Sequence, residues 1–180
     1  MSKKALQVGV IGYGYWGPNL VRNFSECEET DLVMIADLQP ERLKKLKSRY
    51  PAVQTIRDPL ALIRSAKIEA VAIATPLKTH YALARAALEH GKHVLIEKPM
   101  TASAREAEAL VRLADKRGLK ILVDHIFVYS GAGKCLKEHF EELGEPRYFD
   151  STRVNLGIFR DDTNVIWDLA PHDLSILLNL

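Results

Sequence analysis

The chain has 180 residues, 47% of them hydrophobic and 27% charged, and a formal net charge of +2. That length allows one domain, or one domain with part of a second, and a sizeable core. The balance excludes a disordered chain, and it offers neither the basic excess that would argue for nucleic acid nor the apolar run of a membrane span.

Cys27 and Cys135 are far apart and match no zinc or CxxC spacing, so no metal site is implied. Two reduced thiols in a cytosolic protein are the plain expectation. The opening Met-Ser-Lys-Lys leads into only about six apolar-type residues, too few for a signal peptide, so a cytoplasmic location is expected.

Taken in order, apolar runs alternate with helical periodicity, the pattern of a parallel sheet covered by helices on both faces. The first strand ends at Gly12-x-Gly14-x-x-Gly17, Pro18 suits the first turn of a helix, and Leu20, Val21 and Phe24 give that helix its apolar stripe. Residues 32–36 form a second strand, Pro40 opens a helix carrying Leu43, Leu46 and Tyr50, and residues 53–56 form a short strand ended by Arg57-Asp58-Pro59. A brief helix follows over 60–65. A continuous apolar strand covers 70–74, and Thr75-Pro76-Leu77 breaks it. Ala82, Leu83, Ala86 and Ala87 line a helix closed by Gly91, and 93–96 is a further strand. Ser103-Ala-Arg-Glu106 reads as a capping box opening a helix that runs to Gly118, and 121–123 is the last parallel strand.

Beyond it the regime changes. Residues 134–143 read as an amphipathic helix ended by Gly144, 147–156 as a long strand without a crossover helix, and 170–180 as a closing helix. A lone long strand has two unpaired edges, so a truncated chain, or pairing with another chain, is expected. The expected organisation is a dinucleotide-binding α/β domain of doubly wound, Rossmann type over 1–124, then a partial substrate or oligomerisation domain of α+β type over 125–180.

The glycine turn follows a buried strand and opens a helix whose free N–H groups would face a pyrophosphate. Asp37 stands at the end of the second strand, where a carboxylate accepts ribose hydroxyls and repels a 2′-phosphate, which argues for NAD; the alternative is a surface turn residue before Pro40. Arg42 nearby leaves NADP open. Tyr13, Tyr15 and Trp16 either pack on the dinucleotide or fill the space beneath the turn. Thr75, Pro76 and His80 line another strand end toward the cofactor, although His80 could equally cap its helix.

Glu97-Lys98-Pro99 follows a strand at its C-terminal end, where ligands of open parallel sheets bind. Lys98 can donate to a substrate hydroxyl or share in removing its proton, against the alternative of an ordinary surface lysine. Proline makes the Lys98-Pro99 bond a candidate for the cis isomer. Asp168 and His172 are one helical turn apart and can act as a pair, His172 as acid or base and Asp168 orienting it; the alternative is an N-cap aspartate beside an incidental histidine. His125 projects toward the same rim or sits in the core.

Together, Gly12-Tyr-Gly-Tyr-Trp-Gly-Pro-Asn19, Ala74-Thr-Pro-x-x-x-His80, Glu97-Lys-Pro99 and Trp167-Asp-Leu-Ala-Pro-His-Asp173 resemble the Gfo/Idh/MocA oxidoreductase family over the full length. The stretch from Ser151-Thr-Arg-Val-Asn-Leu-Gly157 to His172 is similar to the branch oxidising nucleotide-linked sugars such as UDP-N-acetylglucosamine or its uronate at a ring hydroxyl.

The resemblance implies that Lys98 and His172 flank the reacting hydroxyl with Asp168 beside them. It implies that Gly12, Gly14, Gly17 and Asp37 hold NAD. Arg153 and Asn155 are candidate sugar or phosphate contacts, or else a solvated strand face. A small-molecule sugar substrate is expected, with no nucleic acid, no membrane, and a homo-oligomer formed through the sheet of the complete second domain.

Two departures stand out. Ser130-Gly-Ala-Gly133 replaces the family's proline and bulkier apolar residue, giving a more flexible approach to its helix, and the chain stops at Leu180 soon after His172. A non-catalytic dinucleotide-binding fragment, or a sensor of NAD occupancy, is therefore the alternative to a dehydrogenase. An inositol or a tetrapyrrole substrate is a further one.

Overall fold

The computed structural model describes residues 4–154 and 163–180. The chain divides into two compact units, Met1–Val123 and Asp124–Leu180.

The first unit alternates strands β1 (Leu6–Ile11), β2 (Thr30–Ala36), β3 (Gln54–Ile56), β4 (Ala70–Ile73), β5 (His93–Ile96) and β6 (Ile121–Val123) with helices α1 (Gly17–Glu26), α2 (Pro40–Arg49), α3 (Pro59–Arg64), α4 (His80–Glu89) and α5 (Ala104–Arg117). All pairings are parallel, in the order β3-β2-β1-β4-β5-β6. The order reverses between β1 and β4. That is the switch point at which doubly wound sheets open a crevice beyond the carboxyl ends of their strands.

Neighbouring residues of one strand serve opposite faces, so the sheet builds two cores. Ile11 and Ile73 join Leu62, Ile63 and Ile68, together with Ala84, Leu88 and Leu110 of α4 and α5. Val10 and Ala72 join Leu20, Val21 and Leu46 of α1 and α2 on the other side. This two-sided burial is why β1 and β4 read as unbroken apolar runs.

Local chemistry sets the element ends. Asp58 caps α3 by accepting the Leu60 N–H at 2.8 Å. Ser103 caps α5 by accepting the Glu106 N–H at 3.4 Å, and Gly118, at φ 65°, ends it in the left-handed region.

The second unit holds α6 (Gly131–Glu138), a 3-10 turn over Phe140–Leu143, and α7 (Val165–Leu177). Three expectations are corrected here. The helix expected over 134–143 starts earlier and breaks: Ser130 Oγ accepts the Gly133 N–H at 3.0 Å, so Ser130-Gly-Ala-Gly133 is a cap and a first turn rather than a loose approach. Gly133 is required there, because a Cβ would run into the carbonyl oxygen of Phe127.

Residues 147–154 form no strand, since no other described segment pairs with them. The rest of that expected strand lies outside the described residues. Finally, α7 begins at Val165 rather than 170, because the Asn164 side chain accepts the Trp167 N–H at 2.9 Å and caps it. Pro171 therefore stands inside the helix, not at its start. Among the described residues no helix is long and apolar enough to cross a membrane.

Candidate active site

In the first unit the switch point is built by the ends of β1, β2 and β4. Gly12 follows β1 at φ 97°, and a Cβ there would collide with the Ala74 carbonyl oxygen at the end of β4. Gly17 opens α1, and a Cβ there would collide with the Gly12 carbonyl oxygen. The fold itself thus demands these two glycines.

Gly14 differs. A Cβ there would meet nothing closer than Arg42 Nη1 at 3.5 Å, an ordinary contact, and the residue needs no positive φ. No protein atom forbids a side chain at Gly14, so the chain's own packing does not require a glycine there. The first turn of α1 carries no side-chain cap, which leaves the positive end of the helix for an anion. An open middle glycine beside an uncapped helix start fits a dinucleotide pyrophosphate.

Asp37, 7% exposed, fixes the far side of the turn. Its Oδ2 accepts the Tyr13 N–H at 2.7 Å and its Oδ1 accepts the Gln39 N–H at 2.8 Å. Oδ1 retains a lone pair for a ribose hydroxyl, whereas Oδ2 also accepts from the Arg42 guanidinium. Arg42 Nη1 lies 3.4 Å from Asp37 Oδ2. The structure therefore brings the guanidinium to the strand end even though its residue lies within α2, which sequence spacing alone did not place.

Tyr13 is buried in the core beneath the turn, Trp16 packs partly against the same core, and Tyr15 is 81% exposed. Of the three aromatics, only Tyr15 stands clear of the turn.

Thr75 Oγ1 and Thr79 Oγ1 lie 2.7 Å apart at the end of β4, and Pro76 is exposed beside them. His80 is 1% exposed, with Nε2 2.9 Å from the Thr75 carbonyl oxygen and Nδ1 3.0 Å from that of Pro99. Its ring ties the loops after β4 and β5 together through these two main-chain carbonyls. Glu97 and Lys98 follow β5 and are half-buried, and the Lys98-Pro99 bond is cis.

The second unit places Asp168 and His172 one turn apart along one side of α7. Asp168 lies in the body of the first turn, since Asn164 is the cap, so the N-cap alternative does not hold. His172 is 9% exposed and packs at 83° to the Phe127 ring, centroids 4.9 Å apart.

Arg153 stacks over Phe127 at 4.6 Å and makes a bidentate pair with Asp173 at 2.8 Å for each bond. The guanidinium, expected to be a substrate contact or a solvated strand residue, is committed to α7 instead. The Arg153 hydrogen bonds hold the Asp173 carboxyl below the usual carboxylate range, helped by Ser151 and by the field of His172.

His125 Nδ1 is buried without a hydrogen-bond partner among the described residues, and burial lowers the His125 pKa against the opposing pull of Asp124. Asn155 lies outside the described residues. Sequence reading missed the partnership of Phe127 and Asp173; the one available signal was the position of Asp173 directly after His172.

Among the described residues no group of three or more His, Cys, Asp or Glu side chains is placed to hold a metal ion. The first unit thus offers oriented main chain, a carboxylate and a lysine, and the second an imidazole one helical turn from a carboxylate.

Comparison with known proteins agrees with this architecture. A UDP-N-acetylglucosamine 3-dehydrogenase of Acidithiobacillus ferrooxidans is 32% identical, over 97% of this chain and 54% of its own length. A scyllo-inositol 2-dehydrogenase (NADP(+)) of Bacillus subtilis is 28% identical, over 97% of this chain and 51% of its own. A crystal structure from Klebsiella pneumoniae, described as an oxidoreductase, superposes with a TM-score of 0.81 at 28% identity, over 98% of this chain and 50% of that one. The chain spans about half the length of the curated relatives it matches. Residues 6–125 match the family model GFO_IDH_MocA, described as an oxidoreductase family with an NAD-binding Rossmann fold, and the chain belongs to that family.

Proposed function

We propose that the protein is an NAD(P)-dependent dehydrogenase acting on a ring hydroxyl of a sugar, with a nucleotide-linked sugar as the substrate class. The observation that carries the reading is Gly14, a glycine that no protein atom requires, set between an uncapped helix start and the buried Asp37. Support for the substrate class comes from the Acidithiobacillus ferrooxidans relative, named for a UDP-linked sugar, and from the motif running from Ser151 to His172.

In this reading the turn at Gly12, Gly14 and Gly17 binds the pyrophosphate, Asp37 takes the ribose hydroxyls, and Thr75 and Pro76 border the nicotinamide half. The nicotinamide, when bound, accepts a hydride from the substrate carbon. Lys98 donates to the substrate hydroxyl and His172 takes its proton, with Asp168 orienting that exchange one turn away on α7. Holding the reacting C–H at near-attack distance supplies on the order of 7–11 kcal/mol in favourable cases, so orientation rather than covalent chemistry is the main catalytic contribution.

The test is formation of reduced cofactor with NAD or NADP over a panel of UDP-linked sugars, free sugars and inositols. Turnover on a UDP-linked sugar, lost in Lys98→Ala and in His172→Gln while cofactor still binds, is expected. Cofactor binding with no turnover on any of them would favour a binding module without catalysis.

A further inference from the structure

Consecutive residues of a helix diverge by about 100° around its axis, so His172 and Asp173 leave α7 in different directions. Two side chains from outside the helix span the gap. Phe127 meets the His172 ring at 83°, and Arg153 lies over Phe127 while gripping Asp173 through Nε and Nη2. Arg153 and Asp173 are only 25% and 20% exposed, so the pair is fixed by geometry rather than by chance encounter in solvent.

Phe127 is held in turn. Ser130 Oγ donates to its carbonyl oxygen at 2.7 Å, and Gly133 leaves that carbonyl the room a Cβ would take.

We propose that Arg153 is a positioning residue for His172: it neutralises Asp173 beside the imidazole and, through Phe127, sets the plane of the ring. This rests on His172 being the proton-handling group proposed above. With Arg153 in place, the carboxylate next in sequence does not draw a proton onto the imidazole. Without it, an uncompensated negative charge would stand beside His172 and favour the protonated ring. The Arg153 hydrogen bonds are the main cause of the lowered Asp173 pKa, and the field of His172 is the smallest contribution in the same direction. Among the described residues, the other titratable groups on the contacting elements are Asp168 on α7, Asp124, His125 and Tyr129 around Phe127, and Tyr148 and Asp150 ahead of Arg153. They are common to every variant compared, so their contribution cancels.

The experiment is an NMR titration of the His172 imidazole in the full chain, its signal identified among the six histidines by its loss in His172→Gln. Arg153→Gln is expected to raise the His172 pKa and Asp173→Asn to lower it, each by about half a unit or more. The double substitution should return it close to the original value. Arg153→Lys keeps the charge and serves as the folded control should Arg153→Gln be unstable; it should hold the pKa near the original value. A salt bridge that only anchored its segment, with no field at the imidazole, would shift the pKa in neither variant. Shifts of the same sign, or none in any folded variant, would overturn the inference. Opposite shifts in a protein that turns over no sugar would instead remove the dehydrogenase reading and leave standing only the coupling of Arg153 and Asp173 to the imidazole.

Discussion

The Asp37 carboxylate accepts the Tyr13 main-chain N–H at 2.7 Å, which ties the end of β2 to the glycine turn that follows β1. The residue proposed to read the cofactor's ribose therefore also shapes the turn proposed to take the pyrophosphate. Arg42, 3.4 Å from the same oxygen, sets a cation beside the carboxylate proposed to take the ribose.

Cofactor preference should follow from that triplet. Arg42→Ala is expected to weaken NADP binding about tenfold more than NAD binding, because a charge-assisted contact of about 1.4 kcal/mol is lost by one ligand only. Calorimetric titration with both dinucleotides measures the ratio. Equal weakening of the two would mean that the guanidinium does not serve a 2′-phosphate.

The glycines of the turn should separate into two classes. Gly17→Ala forces a Cβ into the Gly12 carbonyl oxygen and should cost at least about 1–3 kcal/mol of stability, the scale of an overpacked interior. Gly14→Ala meets only ordinary contact and should leave the unfolding midpoint nearly unchanged while weakening NADH binding tenfold or more. Thermal unfolding and NADH fluorescence titration on the two variants check both halves.

His80 should act on the rim from beneath. His80→Leu removes the ring that faces the Thr75 and Pro99 carbonyls; a neutral ring donates to one of them, and a buried acceptor left unserved costs about 1–3 kcal/mol. A lower denaturant midpoint together with weaker NADH binding is expected. Weaker binding at unchanged stability would mean that the ring contacts the ligand itself.

Lys92 supplies a pH signature far from the turn. It is buried, donates to the Ser65 and Ile68 carbonyls at 2.9 and 2.6 Å, and burial lowers its pKa below the ordinary 10.5, with Glu69 opposing. Between the lowered native value and 10.5 the unfolded chain binds more protons than the folded one, so this group makes stability rise with pH in that window. Below the window the cost of burying its charge is fully present. Chemical unfolding of the parent chain and of Lys92→Met across the alkaline range should show that rise only in the parent. An unchanged pH slope in Lys92→Met would contradict the assignment.

The parallel sheet was legible because its two faces are covered. Val10 and Ile11, or Ala72 and Ile73, point into different cores, so their strands must be apolar throughout, and the helices between them carry regular stripes. The second unit was less legible for local reasons. Pro171 resembles the start of a helix, yet Asn164, seven positions earlier, supplies the cap, and a proline's missing N–H does not by itself set where a helix begins.

Residues 147–154 have the composition of a strand, but a strand exists only where another offers a ladder, and sequence pattern carries no information on that partner. Arg153 illustrates the same limit at the site. Its identity suggested a ligand contact, whereas the three-dimensional neighbourhood of Phe127 and Asp173 commits it to the helix bearing His172.

The central claim is that the turn from Gly12 to Gly17, closed by Asp37 and Thr75, is a dinucleotide cradle. Backbone amide NMR of the full chain titrated with NADH tests it most directly. Saturable, one-to-one shifts concentrated at Gly12, Gly14, Gly17, Asp37 and Thr75 are predicted, and they should vanish in Gly14→Glu. Absence of binding, or shifts that gather elsewhere and survive Gly14→Glu, would contradict it.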